Sequence, residues 1–175
     1  NRQAYNEKLD AAYAHFKSSG DTLAVAVVDI DHFKSINDRF GHAAGDKTLQ
    51  VVSKFLKQSL SENDFVARWG GEEFTLLFPN KSPDEVFPFI EEVRQSIADY
   101  EFKIRDKNER KKGSEDNRGN VNTSPEIVHV TMSFGATNPA IQQEAFGKVI
   151  KRADALLYKA KEDGRNKVVV EESSF

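Results

Sequence analysis

Four carboxylates stand apart from the regular apolar patterns of this 175-residue chain. Asp29 closes a continuous apolar run, and Asp31 follows two residues on. Glu72 and Glu73 sit between Gly70-Gly71 and Phe74, at what reads as the tip of a tight hairpin whose glycines supply positive φ. If the strands that carry them are neighbours, several carboxylates meet at one edge of a sheet. Two such charges about 4 Å apart repel by roughly 4 kcal/mol at an effective dielectric near 20. A cluster of this kind persists only if it is protonated, splayed into water or bound to cations. Hard, oxygen-only ligands favour Mg²⁺, with Mn²⁺ as the alternative, an ion that keeps waters and bridges substrate phosphates. Spacing alone is equally compatible with a solvated turn and a strand-end Asp that caps a nearby helix.

The elements that must position these groups are legible from periodicity. Tyr5, Leu9, Ala12, Tyr13 and Phe16 recur at helical spacing, with Gly20 as a stop. Leu23 to Val28 is an unbroken apolar run, the pattern of a central strand buried on both faces. After a polar segment containing Gly41 and Gly45, Leu49, Val52, Phe55, Leu56 and Leu60 mark an amphipathic helix. Phe65–Trp69 and Phe74–Phe78 are the strands of the acidic hairpin, with Trp69 a packing residue beside it. Ser82-Pro83-Asp84-Glu85 predicts an N-cap, a first-turn proline and a capping box, opening a helix to about Tyr100 that contains Pro88. Phe102–Ile104 and Ile127–Phe134 read as strands. Between them, residues 106–124 are polar and of mixed charge, which predicts a long, mobile hairpin insertion. Phe146, Val149, Ile150, Ala153, Leu157 and Ala160 define a last helix ended by Gly164, followed by a closing strand at Val168–Val170. The order predicts an α+β fold: a central, mainly antiparallel sheet flanked by helices, a ferredoxin-like or nucleotide-cyclase-like βαββαβ unit with an added hairpin.

Composition narrows the chemistry. A net charge of −3 gives no bulk attraction to nucleic acid or membrane, so a polyanionic ligand must be held by local basic groups or metal ions. The chain has no cysteine, which excludes disulfides and thiolate metal sites and suits a reducing cytoplasm. The longest apolar run is far short of the roughly 20 residues that cross a bilayer. The abrupt start on a helical pattern predicts a piece of a longer protein, with a regulatory or sensor domain, membrane-anchored or not, preceding Asn1.

The segment Asp29-Ile30-Asp31-His32-Phe33-Lys34-Ser35-Ile36-Asn37-Asp38, then Phe40-Gly41-His42 and Gly45-Asp46, then Gly70-Gly71-Glu72-Glu73-Phe74, forms an ordered series. Arg152-Ala153-Asp154, Leu157-Tyr158, Ala160-Lys161 and Gly164-Arg165-Asn166 continue it. In these motifs the chain resembles the GGDEF domain of diguanylate cyclases, as a Gly-Gly-Glu-Glu-Phe variant, over residues 1–175 as a single domain. The resemblance implies condensation of two GTP into cyclic di-GMP by a face-to-face homodimer, with Mg²⁺-assisted attack of a 3′-hydroxyl on an α-phosphate. The alternative is a catalytically silent module that binds GTP or cyclic di-GMP and regulates a neighbour.

By the same resemblance Asp29, Glu72 and the Ile30 carbonyl are metal ligands. Glu73 positions the ribose hydroxyl or takes its proton, and which of the two glutamates is the base stays open. Asn37 and Asp46 read guanine, because a carboxylate can accept from N1–H and the exocyclic amine together. Phe33 and Lys34, in the short loop after the first strand, offer backbone N–H groups to phosphate. Lys161 and Arg165 lie four apart, on one side of the last helix if it persists to its Gly end, and bind the triphosphate; ordinary basic decoration of a helix C-terminus is the competing explanation. One motif departs from the family. Many members place Arg-x-x-Asp before the hairpin as an inhibitory product site, and here the window is Ser61-Glu62-Asn63-Asp64. Asp64 is retained, but Ser61 has no guanidinium to fork onto guanine or phosphate, so product feedback through this site is expected to be weak or absent. His15, His32, His42 and His129 show no metal-ligand spacing.

Overall fold

The computed structural model describes residues 2–68, 70–105 and 125–171, with side chains from residue 7 onward. Trp69 and the 106–124 insertion therefore lie outside the described residues. The chain runs α1 (Arg2–Ser19), β1 (Leu23–Ile30), α2 (Phe33–Phe40), α3 (His42–Ser59), β2 (Phe65–Arg68), β3 (Glu73–Pro79), α4 (Pro83–Asp99), β4 (Phe102–Ile104), β5 (Glu126–Val128), β6 (Met132–Thr137), α5 (Phe146–Glu162) and β7 (Val168–Val170). Five strands form one sheet in the order β2-β3-β1-β6-β7. It is antiparallel throughout except for the β6–β7 edge.

β1 is central because all eight of its residues are buried. Ala24, Ala26, Val28 and Ile30 face a core shared with Leu49, Val52 and Leu56 of α3 and Val86, Ile90, Val93 and Ile97 of α4. Leu23 and Val25 face the other side, against Leu9, Tyr13 and Phe16 of α1 and Val149 of α5, and Val27 meets Ala153 and Leu157 of α5. The period-2 alternation of a strand thus sends each successive side chain to a different helical layer.

α4 starts as its sequence predicts: the Glu85 N–H donates to Ser82 Oγ at 3.2 Å, with Pro83 as the first helical residue. Two expectations need correction. The predicted strand Ile127–Phe134 is two strands in different sheets. β5 pairs with β4, while β6 pairs with β1, and the chain bends between them where Thr131 bonds Asp31. Neither Gly70 nor Gly71 adopts the left-handed φ expected of a tight glycine turn. A side chain at Gly71 would meet open space, so what its missing Cβ provides is an uncovered backbone at the tip.

Candidate active site

β1 and β3 run antiparallel with Asp29 directly opposite Glu73, and the Ile30 N–H donates to the Glu72 carbonyl at 3.3 Å. The register alone therefore brings the strand-end aspartate and both hairpin glutamates together. Arg68 holds the tip in shape: its guanidinium donates to the carbonyls of Gly70 at 3.3 Å and Gly71 at 2.9 Å.

Asp29 is 4 % exposed. Its Oδ2 pairs with the Lys161 ammonium of α5, while Oδ1 is buried without a hydrogen-bond partner. Burial pushes the Asp29 carboxyl above its ordinary range, and Lys161 opposes that shift. Glu72 is raised by burial and by the charges of Asp29 and Glu73. Glu73 is raised by burial, Asp29 and Asp154. Four carboxylates thus crowd one ammonium, the electrostatic condition of a site that takes further positive charge. Among the described residues no three acidic or histidine side chains close into a complete ligand set. The orphaned Asp29 oxygen and the all-oxygen donors fit Mg²⁺ or Mn²⁺.

Asp31, two residues on, is a structural tie. Its carboxylate accepts from Thr131 Oγ1 at 2.7 Å, Ser133 Oγ at 2.7 Å and the Asn166 N–H at 3.0 Å. His32 follows in the left-handed region (φ 55°), a strained turn that delivers the chain into α2. Phe33 and Lys34 are the first residues of that helix, a correction to the loop expected for them. Their N–H groups have no intrahelical acceptor at a helix start, so they remain suited to phosphate.

Asn37 packs against Gly45, the residue before Asp46, because α3 meets α2 there: a methyl group at Gly45 would overlap the Asn37 amide oxygen. Asp46 itself is exposed and lines a cleft of about 520 Å³ together with Ser53, Lys54, Lys57 and Arg68. A cavity of about 400 Å³ at the opposite end of the sheet, against α1, touches none of these residues.

Gly135 of β6 plays the same part for α5: a Cβ there would overlap the Ala153 carbonyl and the Leu157 nitrogen. The helix backbone rests on the sheet, which lowers Asp154 and Lys161 onto the carboxylate cluster. The expectation that Lys161 and Arg165 share a helix face is corrected. α5 ends at Glu162, and Gly164, Arg165 and Asn166 are left-handed in succession (φ 103°, 63° and 48°). The Arg165 N–H caps the Ala160 carbonyl at 2.9 Å, and Asn166 anchors the turn to Asp31. Arg68 and Asp154 had no role assigned from sequence. Their only sequence signals are an arginine that closes the strand before the hairpin and an aspartate seven residues, two helical turns, before Lys161.

At the degenerate inhibitory motif, the Asp64 side chain is 2 % exposed and fully engaged. It accepts from Ser61 N–H at 3.0 Å, Ser61 Oγ at 2.7 Å and Lys81 Nζ at 3.3 Å.

Known proteins place this geometry. The profile of the family described as "Diguanylate cyclase, GGDEF domain" matches residues 1–114. The chain belongs to that family. Diguanylate cyclase DgcP of Pseudomonas aeruginosa is 38 % identical over 171 residues, which is 97 % of this chain and 22 % of that protein. The GGDEF domain of DgcB from Caulobacter crescentus, solved in complex with c-di-GMP, matches with TM-score 0.81 at 33 % identity, covering 97 % of this chain and 90 % of that one. The active GGEEF domain of a diguanylate cyclase from Vibrio cholerae matches with TM-score 0.79 at 29 % identity, covering 99 % and 98 %. This GGDEF chain spans less than half the length of its first curated relatives.

Proposed function

We propose that this GGDEF domain joins two GTP molecules into cyclic di-GMP with release of two pyrophosphates, one nucleotide on each of two facing domains. The observation that supports this best is Asp29, a buried carboxylate with one oxygen unpartnered, set opposite Glu73 at the hairpin. Asp29, Glu72 and the Ile30 carbonyl would hold Mg²⁺, which when bound neutralises phosphate charge and acidifies the ribose 3′-hydroxyl. Asn37 and Asp46 bind the guanine edge. Because both are needed to satisfy it, analogues lacking those donors are rejected by roughly 10⁴-fold or more. The N–H groups of Phe33 and Lys34, with Lys161 and Arg165, hold the triphosphate. Glu73 positions the 3′-hydroxyl or accepts its proton as it attacks the partner domain's α-phosphate. Catalysis is then placement plus charge stabilisation.

Such a cytoplasmic domain works only as a pair, supplied at high concentration or by an attached dimerising module. No described helix is long and apolar enough to cross a membrane. Product feedback through the Asp64 motif is weak, since that carboxylate is already committed to Ser61 and Lys81. The test is incubation with GTP and Mg²⁺ at rising protein concentration. Pyrophosphate and cyclic dinucleotide are expected, with turnover per domain increasing with concentration. Nucleotide binding without product, even in a forced dimer, would replace this reading with a receptor module. Unchanged activity in Glu73→Gln or Asp29→Ala would overturn the residue roles.

A further inference from the structure

Lys161 occupies an unexpected place for a phosphate-binding cation. Its ammonium rests on Asp29, the carboxylate that the proposed reading gives to the metal. Among the described residues, no other cation pairs with Asp29. The partners differ in freedom: the Lys161 side chain is 31 % exposed and that of Asp29 6 %. Asp29 is fixed within β1, whereas Lys161 extends on a flexible stem from the last turn of α5, just before the left-handed turn at Gly164. The charge of the same ammonium also reaches Asp154, Glu72 and Glu73.

We propose that Lys161 is a tethered competitor of the metal, neutralising Asp29 in the ligand-free domain and leaving it only when metal and nucleotide arrive together. A buried carboxylate left alone is costly, so the ligand-free protein needs a counter-charge at Asp29. A divalent ion supplies that charge but repels the ammonium beside it. A triphosphate resolves the conflict by offering Lys161 a new anionic partner while it bridges the metal. Each ligand thereby removes an obstacle to the other, and linkage makes the coupling reciprocal. The domain would bind little metal without nucleotide, and a metal-free triphosphate would find its lysine engaged elsewhere. The inference rests on the assignment of Asp29 as a metal ligand, not on turnover.

The discriminating experiment separates metal affinity from nucleotide affinity and reads no activity. Free Mn²⁺ is followed by electron paramagnetic resonance during titration of nucleotide-free protein. Binding of 3′-deoxy-GTP, which lacks the attacking hydroxyl, is measured by calorimetry with Mn²⁺ present. Lys161→Met is expected to bind Mn²⁺ alone about 5-fold or more tighter than the unaltered protein, the lower end of typical coupling, and to bind 3′-deoxy-GTP more weakly. Lys159→Met, which removes a charge from the same helical turn without touching Asp29, should leave Mn²⁺ affinity nearly unchanged. Equal or weaker Mn²⁺ binding by folded Lys161→Met overturns the proposal. If that variant does not fold, the Lys161 side-chain NMR signal of the unaltered protein is followed as Mg²⁺ is added first alone and then with 3′-deoxy-GTP. A shift that needs both ligands supports joint displacement from Asp29; a full shift with Mg²⁺ alone, or no shift with both, overturns it. Asp29→Ala with unchanged Mn²⁺ affinity refutes the metal assignment and the inference with it. Tighter Mn²⁺ binding by Lys161→Met in a domain that makes no cyclic dinucleotide keeps the competition and refutes only the activity.

Discussion

Asp29 and Asp31 stand two residues apart at the end of one strand, and both are nearly inaccessible, at 4 % and 5 % exposure. Their surroundings are opposites. Asp31 accepts three hydrogen bonds, from Thr131 before β6, Ser133 within it and the Asn166 turn, whereas Asp29 has one flexible ammonium and an oxygen with no partner. Buried polar groups in folded proteins are normally satisfied, and those that are not cluster where function needs them. On the proposed reading, the contrast separates the acid that holds the site together from the one that works in it. Asp64 extends the comparison, since its side chain too is buried and satisfied, by Ser61 and Lys81.

The sharpest way to break the comparison is Asp29→Asn. We expect turnover to fall by about 10³-fold, the scale of losing a group that stabilises the transition state, with no loss of stability at neutral pH. Product formation and urea unfolding check the two halves. The pH sign follows from Asp29, Glu72 and Glu73, whose carboxyls are raised in the folded state mainly by burial. Their contribution to stability is fully present below the ordinary carboxylate range and is lost as pH rises through the raised values. Any stability gained in Asp29→Asn at neutral pH should therefore shrink as the protein is acidified.

Asp31→Ala should behave in the opposite way. It removes charge-assisted bonds and orphans two hydroxyls, for an expected loss of about 3 kcal/mol that unfolding curves would show; unchanged stability would remove the distinction between the two acids. Gly135→Ala tests whether α5 must rest on the sheet. Overpacking is expected to cost about 2 kcal/mol, and displacement of Lys161 should lower turnover as well. Asp64→Ala should cost about 1–2 kcal/mol by breaking its contacts with Ser61 and leave turnover intact. The smallest effect is Ser82→Ala, about 1 kcal/mol from loss of the α4 cap, detectable only in unfolding.

Much of this was legible from local pattern. The unbroken run of β1, the amphipathic helices, the Ser82 cap and the two strands around Gly-Gly-Glu-Glu depend on residues within a few positions of one another, and each appears where periodicity puts it. The acids, Asn37, Asp46, Lys161 and Arg165 were nominated as site residues by type and order. One error fell where a distant contact overrides a local preference. Ile127–Phe134 is apolar enough for one strand, but Asp31 draws Thr131 aside and splits it.

Residue types and their order thus determined the family, the βαββαβ succession and the presence of an oxygen-rich acidic site. Only the folded chain decided which aspartate is satisfied, that Gly45 and Gly135 let helices approach closely enough to assemble the site, that Arg68 clamps the hairpin, and that Lys161 rests on Asp29 from 132 residues away. The reason is physical. A hydrogen bond, an overlap or an ion pair depends on distance in space, and for groups so far apart in sequence that distance is set by the packing of both sheet faces at once.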